Sequence, residues 1–479
     1  MTTVHLVPHS HTDPGWLLTA ELYYSRDVKP ILNSVLAEMM RAPNLTFAWS
    51  ETVFFERWFS EQKPSMQQYV RQLVASGRLD FVGGGWVQHD EALTTVGGML
   101  ESMAEGHAWL FETFGVRPSV GWQLDPFGHS AASSALLGRM GMAHVVINRI
   151  HYKLKRRWRQ SHGLQFRWEG CARALGWGGV TAHVLYAHYS TPKSFDFEGR
   201  GADAPMSDEE VLSRAKALAT LARTQSAAYA TPRQLMLLIG DDFRWHKAAL
   251  MSRSWQRLID RANQLQPSRA LGGPIRFVWS TPSKYFSTLL GSPTPSKPAP
   301  SFAGDLLPYA DQEGAFWTGF YATRPALKSQ LRSAEASVRA AHVLQMLTGM
   351  LAATPIATTN LPSDDADTRP STWSAALEKC RRELALGQHH DTITGTSRAR
   401  VIGDYERILH RTIQRAHRVA AEAAAWLLAY GAPRTPDAAR ILRAGAAVAS
   451  QPPSLKVLSS VDDLLKDAGV AADQLDDTA

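Results

Sequence analysis

Cysteine and long apolar runs are what this sequence has least of. Only Cys171 and Cys380 occur in 479 residues, and neither belongs to a CxxC motif. Two cysteines exclude a disulfide framework, although these two could pair in principle, and they leave the redox compartment open. No apolar run approaches the ~20 residues of a membrane-spanning helix. We therefore expect no membrane span in this chain.

The N-terminus also lacks the apolar region of a signal peptide. The chain passes from Met1 directly into a strand-like run at residues 4–7, whereas a signal peptide carries an apolar stretch of about 7–15 residues. Either the protein is not exported, or its leader is absent from this chain. The sequence defines neither the compartment nor the oligomeric state.

Basic charge is present but is a weak signal for nucleic acid. The net charge is +7, and the densest basic run lies at residues 153–159. A nucleic-acid surface needs such charge spread along one face, with aromatic side chains on which bases stack. We therefore interpret the run as a solvated face and predict no nucleic-acid partner.

Short apolar runs alternate with helical patterns up to about residue 290. The strand-like runs lie at residues 4–7, 45–49, 79–82, 119–124, 144–147, 183–186, 235–239 and 275–279. Helical stretches between them include residues 27–40, 96–114, 208–228 and 247–265. This alternation predicts an α/β domain over residues 1–290 with a parallel sheet, open or closed into a (β/α) barrel-like form.

The rest of the chain reads as mainly helical. A proline-rich stretch begins a segment of linker and loops at residues 291–325. Apolar residues then step by three or four along residues 327–351, 373–384 and 401–430, which predicts a three-helix bundle over residues 326–430. Residues 431–479 read as a tail with at most one helix, at residues 461–468.

Polar side chains collect directly after the predicted strands. They are His9, His11, Asp13, Trp86, His89, Asp90, Asp125, Arg149, Tyr189, Asp241 and Asp242. Parallel sheets place their ligand sites at the carboxyl ends of strands, where the loops converge. Six strands are therefore predicted to direct these side chains toward one site.

Histidines and aspartates at two places favour a metal. His9, His11 and Asp13 project to one side if the strand continues through them, and they form a partial zinc shell. A strand end with hydrogen-bonded polar groups is the alternative. His390 and Asp391 lie on or just after a predicted helix. A histidine there could complete the shell, or it could interact with the helix C-terminus.

Carboxylates at two strand ends favour acid–base chemistry. Retaining glycosidases need two carboxyl groups about 5–5.5 Å apart. Asp125 and the Asp241-Asp242 pair suit this, because a neighbouring negative charge raises one pKa; a turn or a helix N-cap is the alternative. Tryptophans beside these motifs, such as Trp317, offer flat faces for sugar rings, although most tryptophans are core residues.

Together these motifs resemble the class II α-mannosidases, glycoside hydrolase family 38. The matching stretches occur in family order and cover most of the chain, at residues 9–16, 83–91, 122–130, 148–152, 240–245, 302–311, 317–325 and 388–396. The segments around Arg149, residues 195–197 and residues 241–244 are closer to the Golgi-type branch than to the lysosomal one.

The resemblance implies a zinc-dependent retaining α-mannosidase that hydrolyses terminal α-linked mannose in N-glycan-type oligosaccharides. One Zn²⁺ per chain would be bound by His11, Asp13, Asp125 and His390. Asp125 would also be the nucleophile, Asp242 the general acid/base, and His9 a supporting residue. The residues implied to line the mannose are Trp16, Phe127, Arg149, Tyr189, Asp241, Trp317 and Asp391.

The resemblance also indicates where the chain departs from its family. Family members continue into β-rich C-terminal domains, which we expect to be absent here, so the chain is interpreted as truncated after the helical bundle. A Golgi or lysosomal location is implied if a leader is missing. Two alternatives remain: an inactive mannose-binding remnant, and a zinc-dependent carbohydrate deacetylase, which uses a metal-bound water without a covalent intermediate.

Overall fold

A computed structural model describes residues 1–198, 206–231, 233–265, 274–290, 300–352 and 370–431. The strands are β1 (Thr2–Pro8), β2 (Phe47–Trp49), β3 (Leu79–Phe81), β4 (Val120–Gln123), β5 (His144–Ile147), β6 (Gln165–Trp168), β7 (Val180–Val184), β8 (Gln234–Ile239), β9 (Ile275–Trp279), β10 (Ser301–Phe302), β11 (Ala310–Gln312) and β12 (Ala315–Phe316). The predicted tail after residue 431, with its helix, and residues 291–299 of the proline-rich stretch lie outside the described residues.

Helices follow most of the strands. They are α1 (Ala20–Tyr23), α2 (Lys29–Arg41), α3 (Thr52–Ser60), α4 (Pro64–Ala75), α5 (Val96–Phe114), α6 (Ala131–Arg139), α7 (Tyr152–Gln160), α8 (Asp208–Ser226), α9 (Ala248–Gln264), α10 (Pro282–Leu290), α11 (Pro325–Ala352), α12 (Pro370–Gly387) and α13 (Ala399–Gly431). A π-helical turn, Tyr24–Val28, joins α1 to α2.

Parallel pairing dominates the sheets. β1 lies between β8 and β9, β2 pairs with β3, and the largest sheet has the order β10-β6-β7-β5-β4. Every pair in these sheets is parallel except β6 with β7. The small pair β11 and β12 is antiparallel. The predicted α/β class with parallel strands is therefore confirmed.

β6 is a strand that the sequence pattern did not predict. The predicted strand at residues 183–186 begins earlier, as β7, and β6 pairs with it in antiparallel register from Gln165 opposite His183 to Trp168 opposite Val180. Residues 169–179 form turns in which Gly170 and Gly176 have positive φ angles of 48° and 68°. Glycine adopts such angles without a steric penalty, so the chain can return directly beside β6.

Continuous burial explains why most strands could be recognised. All four residues of β5 and the last five of β8 are buried. Strands buried on both faces read as unbroken apolar runs, as is typical of parallel sheets. Large aromatic side chains fill the core, and the fully buried tryptophans in the described residues are Trp49, Trp58, Trp168, Trp245, Trp255 and Trp373.

Three long helices coincide with the predicted apolar stripes. The chain divides into two compact units, Met1–Ala336 with Glu378–Thr412, and Ser337–Leu377 with Ile413–Ala479, so that α11, α12 and α13 each contribute to both. In the second unit, Trp373 is buried and its indole nitrogen donates to Glu422 Oε2 at 2.7 Å. None of the helices that the structure describes combines the length and hydropathy needed to cross a bilayer.

Gly106 marks the closest approach of α5 to a neighbouring turn. A Cβ at this position would lie 2.0 Å from the carbonyl oxygen of Gly84. We expect Gly106→Ala to destabilise the protein by about 1–3 kcal/mol, because the backbone must move. Gly349→Ala in α11 is the control, because an added Cβ there meets nothing within 4 Å. Circular dichroism melting should show a lower Tm for Gly106→Ala only, and equal Tm values would contradict the close approach.

Candidate active site

Four buried side chains from three segments meet where strands β1 and β4 end. His11 and Asp13 follow β1, Asp125 follows β4, and His390 follows α12. One ligand atom from each lies within 4.8 Å of the others. His390 Nε2 lies 3.2 Å from Asp13 Oδ1 and 3.3 Å from Asp125 Oδ2. His11 Nε2 lies 2.8 Å from Asp13 Oδ1. This set of nitrogen and oxygen donors could hold a metal ion.

Polar neighbours hold the two histidine rings in place. His390 Nδ1 donates to the carbonyl oxygen of Gln88 at 2.8 Å, which leaves Nε2 of a neutral ring as the free nitrogen. Nε2 is buried and has no well-aligned hydrogen bond. The Gln88 side-chain amide lies 3.2 Å from His11 Nδ1 and donates to Glu51 at 2.7 Å. A buried nitrogen facing two carboxylates is an arrangement that a cation would complete.

The electrostatics of the cluster favour positive charge. Burial alone would lower the pKa of His11, but the adjacent Asp13 carboxylate, with Asp125 and Glu51, raises it to about 10. Burial also opposes the charged form of His390, yet Asp125 and Asp13 hold its pKa well above the ordinary value. Without a metal, protons on the two rings therefore balance the carboxylates, and a divalent cation would replace those protons.

Asp125 is paired with a cation on its other oxygen. Arg149, in the loop after β5, donates from Nε to Asp125 Oδ1 at 2.7 Å, and its Nη2 donates to the same oxygen. Burial alone would raise the pKa of Asp125, but Arg149, His390 and His11 together hold it well below the ordinary value. Asp125 is therefore ionised, as a carboxylate nucleophile must be.

The pKa of Asp242 is shifted in the opposite direction. This residue follows β8 and forms a parallel backbone bridge with His11, and the Tyr189 hydroxyl donates to its Oδ1 at 2.8 Å. Burial, together with the carboxylates of Asp13 and Asp125, raises the pKa of Asp242 to about 7, although His11 and Tyr189 oppose the shift. Two carboxyl groups with separated pKa values in one site are typical of a nucleophile and a general acid.

Aromatic rings surround the Arg149 guanidinium. Its central carbon lies 4.9 Å from the ring centre of Trp317 and 5.6 Å from those of Phe127 and Tyr309. The rings of Phe127 and Trp317 are 5.1 Å apart, and the backbone N–H of Trp317 donates to the Tyr309 carbonyl at 3.0 Å. These rings hold Arg149 beside Asp125 and offer apolar faces of the kind on which sugar rings pack.

Comparison with known families decides the identity of this arrangement. Residues 1–312 match the glycosyl hydrolases family 38 N-terminal domain, and residues 315–427 match the alpha mannosidase middle domain. The chain belongs to glycoside hydrolase family 38. The resemblance that the sequence motifs predicted is therefore confirmed.

Several family 38 relatives align with nearly the whole chain. It is 32% identical to alpha-mannosidase 2 of Arabidopsis thaliana, over 86% of this chain and 37% of the relative. It is 32% identical to alpha-mannosidase 2x of Mus musculus, over 89% and 38%, and 31% identical to the lysosomal alpha-mannosidase of Dictyostelium discoideum, over 85% and 39%. The chain thus spans about two fifths of the length of these relatives.

Solved structures support the family 38 fold. An alpha-mannosidase from Enterococcus faecalis V583 superposes with a TM-score of 0.66 at 18% identity, covering 89% of this chain and 43% of that one. At this identity the likeness concerns the fold alone.

The other predicted sugar-binding residues of this family 38 chain fall into two groups, those that border the cluster of His11, Asp13, Asp125 and His390 and those further away. The Tyr189 ring centre lies 5.2 Å from that of His11. Asp391 Oδ2 lies 3.7 Å from His389 Nε2, and its Oδ1 accepts from Thr396. These two side chains border the cluster directly.

Asp241, Trp16 and His9 make their contacts further out. Asp241 Oδ1 accepts from the Ser190 hydroxyl at 2.8 Å. Trp16 packs against the main hydrophobic core, and its carbonyl accepts from the Arg398 N–H at 3.0 Å. His9 donates from Nε2 to the Tyr189 carbonyl at 3.0 Å, which supports the tyrosine that contacts Asp242.

Glu51, Gln88 and Tyr309 are site residues that the sequence reasoning missed. Glu51 is fully buried and accepts from both Gln88 and the Ser50 hydroxyl. It comes shortly after β2, so the rule that polar residues follow strands could have identified it. Gln88 and Tyr309 lie within stretches that matched the family, but neither residue type alone indicates chemistry.

The interpretation of the basic run at residues 153–159 as a solvated face needs a correction. The run forms most of α7, and two of its cations are not part of a solvated face. Lys155 Nζ donates to Asn148 O at 3.0 Å and to Ala187 O at 2.5 Å, and Arg159 Nε donates to Tyr186 O at 2.8 Å. They bind the loops that carry Arg149 and Tyr189, because carbonyl groups at strand ends have no partner within the sheet.

Proposed function

We propose that this chain is the catalytic part of a zinc-dependent retaining α-mannosidase acting on terminal α-linked mannose in N-glycan-type oligosaccharides. The observation that carries the proposal is one buried site that joins a His/Asp cluster to two carboxyl groups in opposite settings: Asp125 is paired with Arg149, which keeps its pKa low, and Asp242 is buried against Tyr189 with its pKa raised to about 7. Family 38 membership and the names of the relatives support mannose as the sugar.

The residues proposed to hold one zinc ion are His11, Asp13, Asp125 and His390. The buried Nε2 of His390, which faces the carboxylates of Asp13 and Asp125, and the mixed nitrogen and carboxylate donors fit the ligand preferences of Zn²⁺. A bound zinc ion would supply an attraction for the neighbouring hydroxyl groups of the sugar.

In the first step Asp125 attacks the anomeric carbon while Asp242 gives its proton to the glycosidic oxygen. The bond between that carbon and the glycosidic oxygen breaks, the alcohol leaves, and a mannosyl ester forms on Asp125. Arg149 is proposed to hold Asp125 ionised and oriented before this attack.

In the second step Asp242, now ionised, takes a proton from a water molecule. The water oxygen attacks the anomeric carbon from the face that the leaving group vacated, and the ester bond to Asp125 breaks. Two inversions give mannose with retained configuration. The positive charge of Arg149 stabilises the departing carboxylate of Asp125.

The residues proposed to line the mannose are Trp16, Phe127, Arg149, Tyr189, Asp241, Trp317 and Asp391. The flat rings beside Arg149 suit the apolar face of the sugar, and the carboxylates suit its hydroxyl groups. A Golgi or lysosomal location is proposed only for the case that a leader is missing from this chain, and it rests on resemblance to family members, including the lysosomal relative of Dictyostelium discoideum.

We also infer that the strands of residues 1–290 form a barrel-like domain. Backbone contacts join neighbouring sheets: His9, directly after β1, forms a parallel bridge with Ala48 in β2, and the N–H of Gly83, shortly after β3, donates to Val120 O in β4 at 2.8 Å. Residues 291–325 are taken as linker and site loops, 326–430 as a three-helix bundle that carries His390, and 431–479 as a tail.

The pH dependence of turnover follows from Asp242. kcat/KM reports the first step, which needs Asp242 protonated. It should therefore fall as pH rises through about 7, by about tenfold per unit once Asp242 is ionised. Asp125 causes no fall on the acid side near pH 5, because its pKa is held well below the ordinary value. Rates on an aryl α-mannoside measured from about pH 5 to 9 check this, and a rate that rises through this range would contradict the roles.

Hydrolysis of p-nitrophenyl α-mannoside by the purified, zinc-loaded chain tests the proposed function, with the α-glucoside as control. Release from the mannoside alone, lost after chelation and restored by zinc, is the expected result. Sugar binding without release would favour the inactive remnant. Release of acetate from an acetylated sugar without cleavage of the mannoside would favour the deacetylase.

A further inference from the structure

The loop that carries Asp242 has a strained backbone. Between β8 and α9, Phe243 and Trp245 adopt positive φ angles of 50° and 82°. Residues with a Cβ, and bulky ones above all, adopt such angles only when their surroundings enforce them, at a cost of about 1–3 kcal/mol each. Something outside the loop must therefore hold it in this conformation.

One carboxylate binds the strained part of the loop. Glu198 Oε2 accepts from the backbone N–H of Trp245 at 2.7 Å, and its Oε1 accepts from the N–H of Lys247 at 2.7 Å. Short hydrogen bonds from two N–H groups to one ionised carboxylate are about twice as strong as neutral ones. Glu198 therefore binds the loop at two points, which lie three and five residues after Asp242.

The segment before Glu198 fixes the position of that carboxylate. Phe195 and Phe197 are buried, with ring centres 5.8 Å and 6.0 Å from that of Trp255 in α9. Asp196 alternates with them and pairs with Arg244 of the loop, Oδ2 to Nη2, at 3.0 Å. Alternate residues thus pack into the core and contact the loop, which gives Glu198 a rigid base.

Other contacts hold side chains of the loop: the Phe243 ring stacks on Tyr23 at 4.2 Å between ring centres, and His246 Nε2 lies 3.4 Å from Asp27 Oδ1. The Phe243 N–H donates to the His11 carbonyl at 2.8 Å, which holds the loop beside Asp242. The Trp245 indole donates to Ile239 O at 2.8 Å from a fully buried ring. These contacts fix the beginning of the loop and its side chains, whereas Glu198 binds the backbone N–H groups of Trp245 and Lys247.

We propose that Glu198 is a positioning residue for the general acid/base, because it holds the Asp242 loop in its strained conformation. The inference rests on the proposed function for its kinetic consequence, but not for its structural one. Without the carboxylate, the loop relaxes at Trp245 and the Asp242 carboxyl moves away from the Tyr189 hydroxyl. A displacement of about 1 Å can reduce a rate about 10²-fold.

Native-state hydrogen exchange tests the structural part in the full chain. In Glu198→Ala the backbone N–H groups of Trp245 and Lys247 should exchange at least about tenfold faster than in the wild type. The exchange rates of Glu198→Gln should lie between those of the wild type and Glu198→Ala. Glu209→Ala removes an equally charged but exposed side chain and should leave both rates unchanged. Unchanged protection of both groups in a folded Glu198→Ala protein would overturn the proposal, whether or not the wild type hydrolyses mannosides.

Leaving-group dependence tests the positioning of Asp242. On methyl α-mannoside, whose leaving group needs protonation, kcat/KM of Glu198→Ala should fall about 10²-fold. On 2,4-dinitrophenyl α-mannoside, whose leaving group needs no proton, it should stay within about threefold. Equal losses on both substrates would overturn the positioning role. Absence of turnover in the wild type would instead reject the proposed function and leave the exchange result to decide on Glu198.

Discussion

Replacement of Asp125 by alanine is expected to lower mannoside hydrolysis by about 10⁴-fold or more, because no other group can form the glycosyl ester. Asp125 lies between the Arg149 guanidinium and the nitrogens of His11 and His390. This setting keeps the pKa of Asp125 well below its ordinary value, so its carboxylate is ionised and ready to attack. Steady-state kinetics on an aryl α-mannoside measure the loss.

The substitution Asp125→Asn separates the role of Asp125 as nucleophile from its proposed role as zinc ligand. Asp125→Asn keeps the shape and one ligand oxygen but cannot form the ester. We expect it to bind zinc more weakly and to show no turnover even at saturating zinc. Glu313→Ala, at a side chain that is 88% exposed near the same loops, is the matched control and should keep wild-type rates. Turnover of a zinc-loaded Asp125→Asn within about tenfold of wild type would contradict the assignment.

Replacement of Asp242 by alanine is expected to affect substrates according to their leaving group. General acid catalysis contributes about 10²–10⁴-fold, so kcat/KM on methyl α-mannoside should fall by that factor. On 2,4-dinitrophenyl α-mannoside it should change little, because the phenolate leaves without a proton. The pKa of about 7 for Asp242 makes it the carboxyl group of the site able to donate near neutral pH.

Azide provides the second half of the same prediction. In Asp242→Ala the mannosyl ester accumulates, because no base deprotonates water. Azide attacks without losing a proton, so it should accelerate turnover of the dinitrophenyl substrate and give α-mannosyl azide. No acceleration by azide, or an equal fall in kcat/KM on all substrates, would show that Asp242 does not act as the acid/base.

Much of the fold was predictable because most strands are buried on both faces. The apolar runs at residues 144–147 and 275–279 coincide with β5 and β9, and the helical pattern at residues 96–114 coincides with α5. β6 was missed because the exposed Arg167 keeps its four residues from forming a continuous apolar run, and because it pairs with β7 in antiparallel register, outside the parallel pattern. Periodicity identifies continuous runs better than short strands at the edge of a pattern.

The residue types at strand ends predicted the chemistry of the site but not its internal pairing. Asp125, Arg149 and Asp242 could be selected because parallel strands direct their ends to one place. The bonds from Arg149 to Asp125 and from Tyr189 to Asp242 span 24 and 53 positions. Such contacts depend on side-chain directions in three dimensions, so no local pattern could predict them.

Supporting residues were the hardest to predict because they act through backbone groups. Gln88 holds His390 with its carbonyl, Lys155 binds the carbonyls of Asn148 and Ala187, and Glu198 binds two N–H groups. Any residue can offer a carbonyl, and charged residues are usually solvated. Their roles emerge only once the loops that they join are placed side by side.

Trapping with a fluorinated mannoside is the most direct test that Asp125 is the nucleophile of a retaining α-mannosidase. A fluorine at C2 or C5 destabilises the oxocarbenium-like transition states, and a good leaving group lets the ester form faster than it is hydrolysed. Mass spectrometry of the zinc-loaded chain should show one added fluoromannosyl group on the peptide that contains Asp125. A label on a different carboxylate, or turnover of mannosides with inversion and no label, would contradict the account.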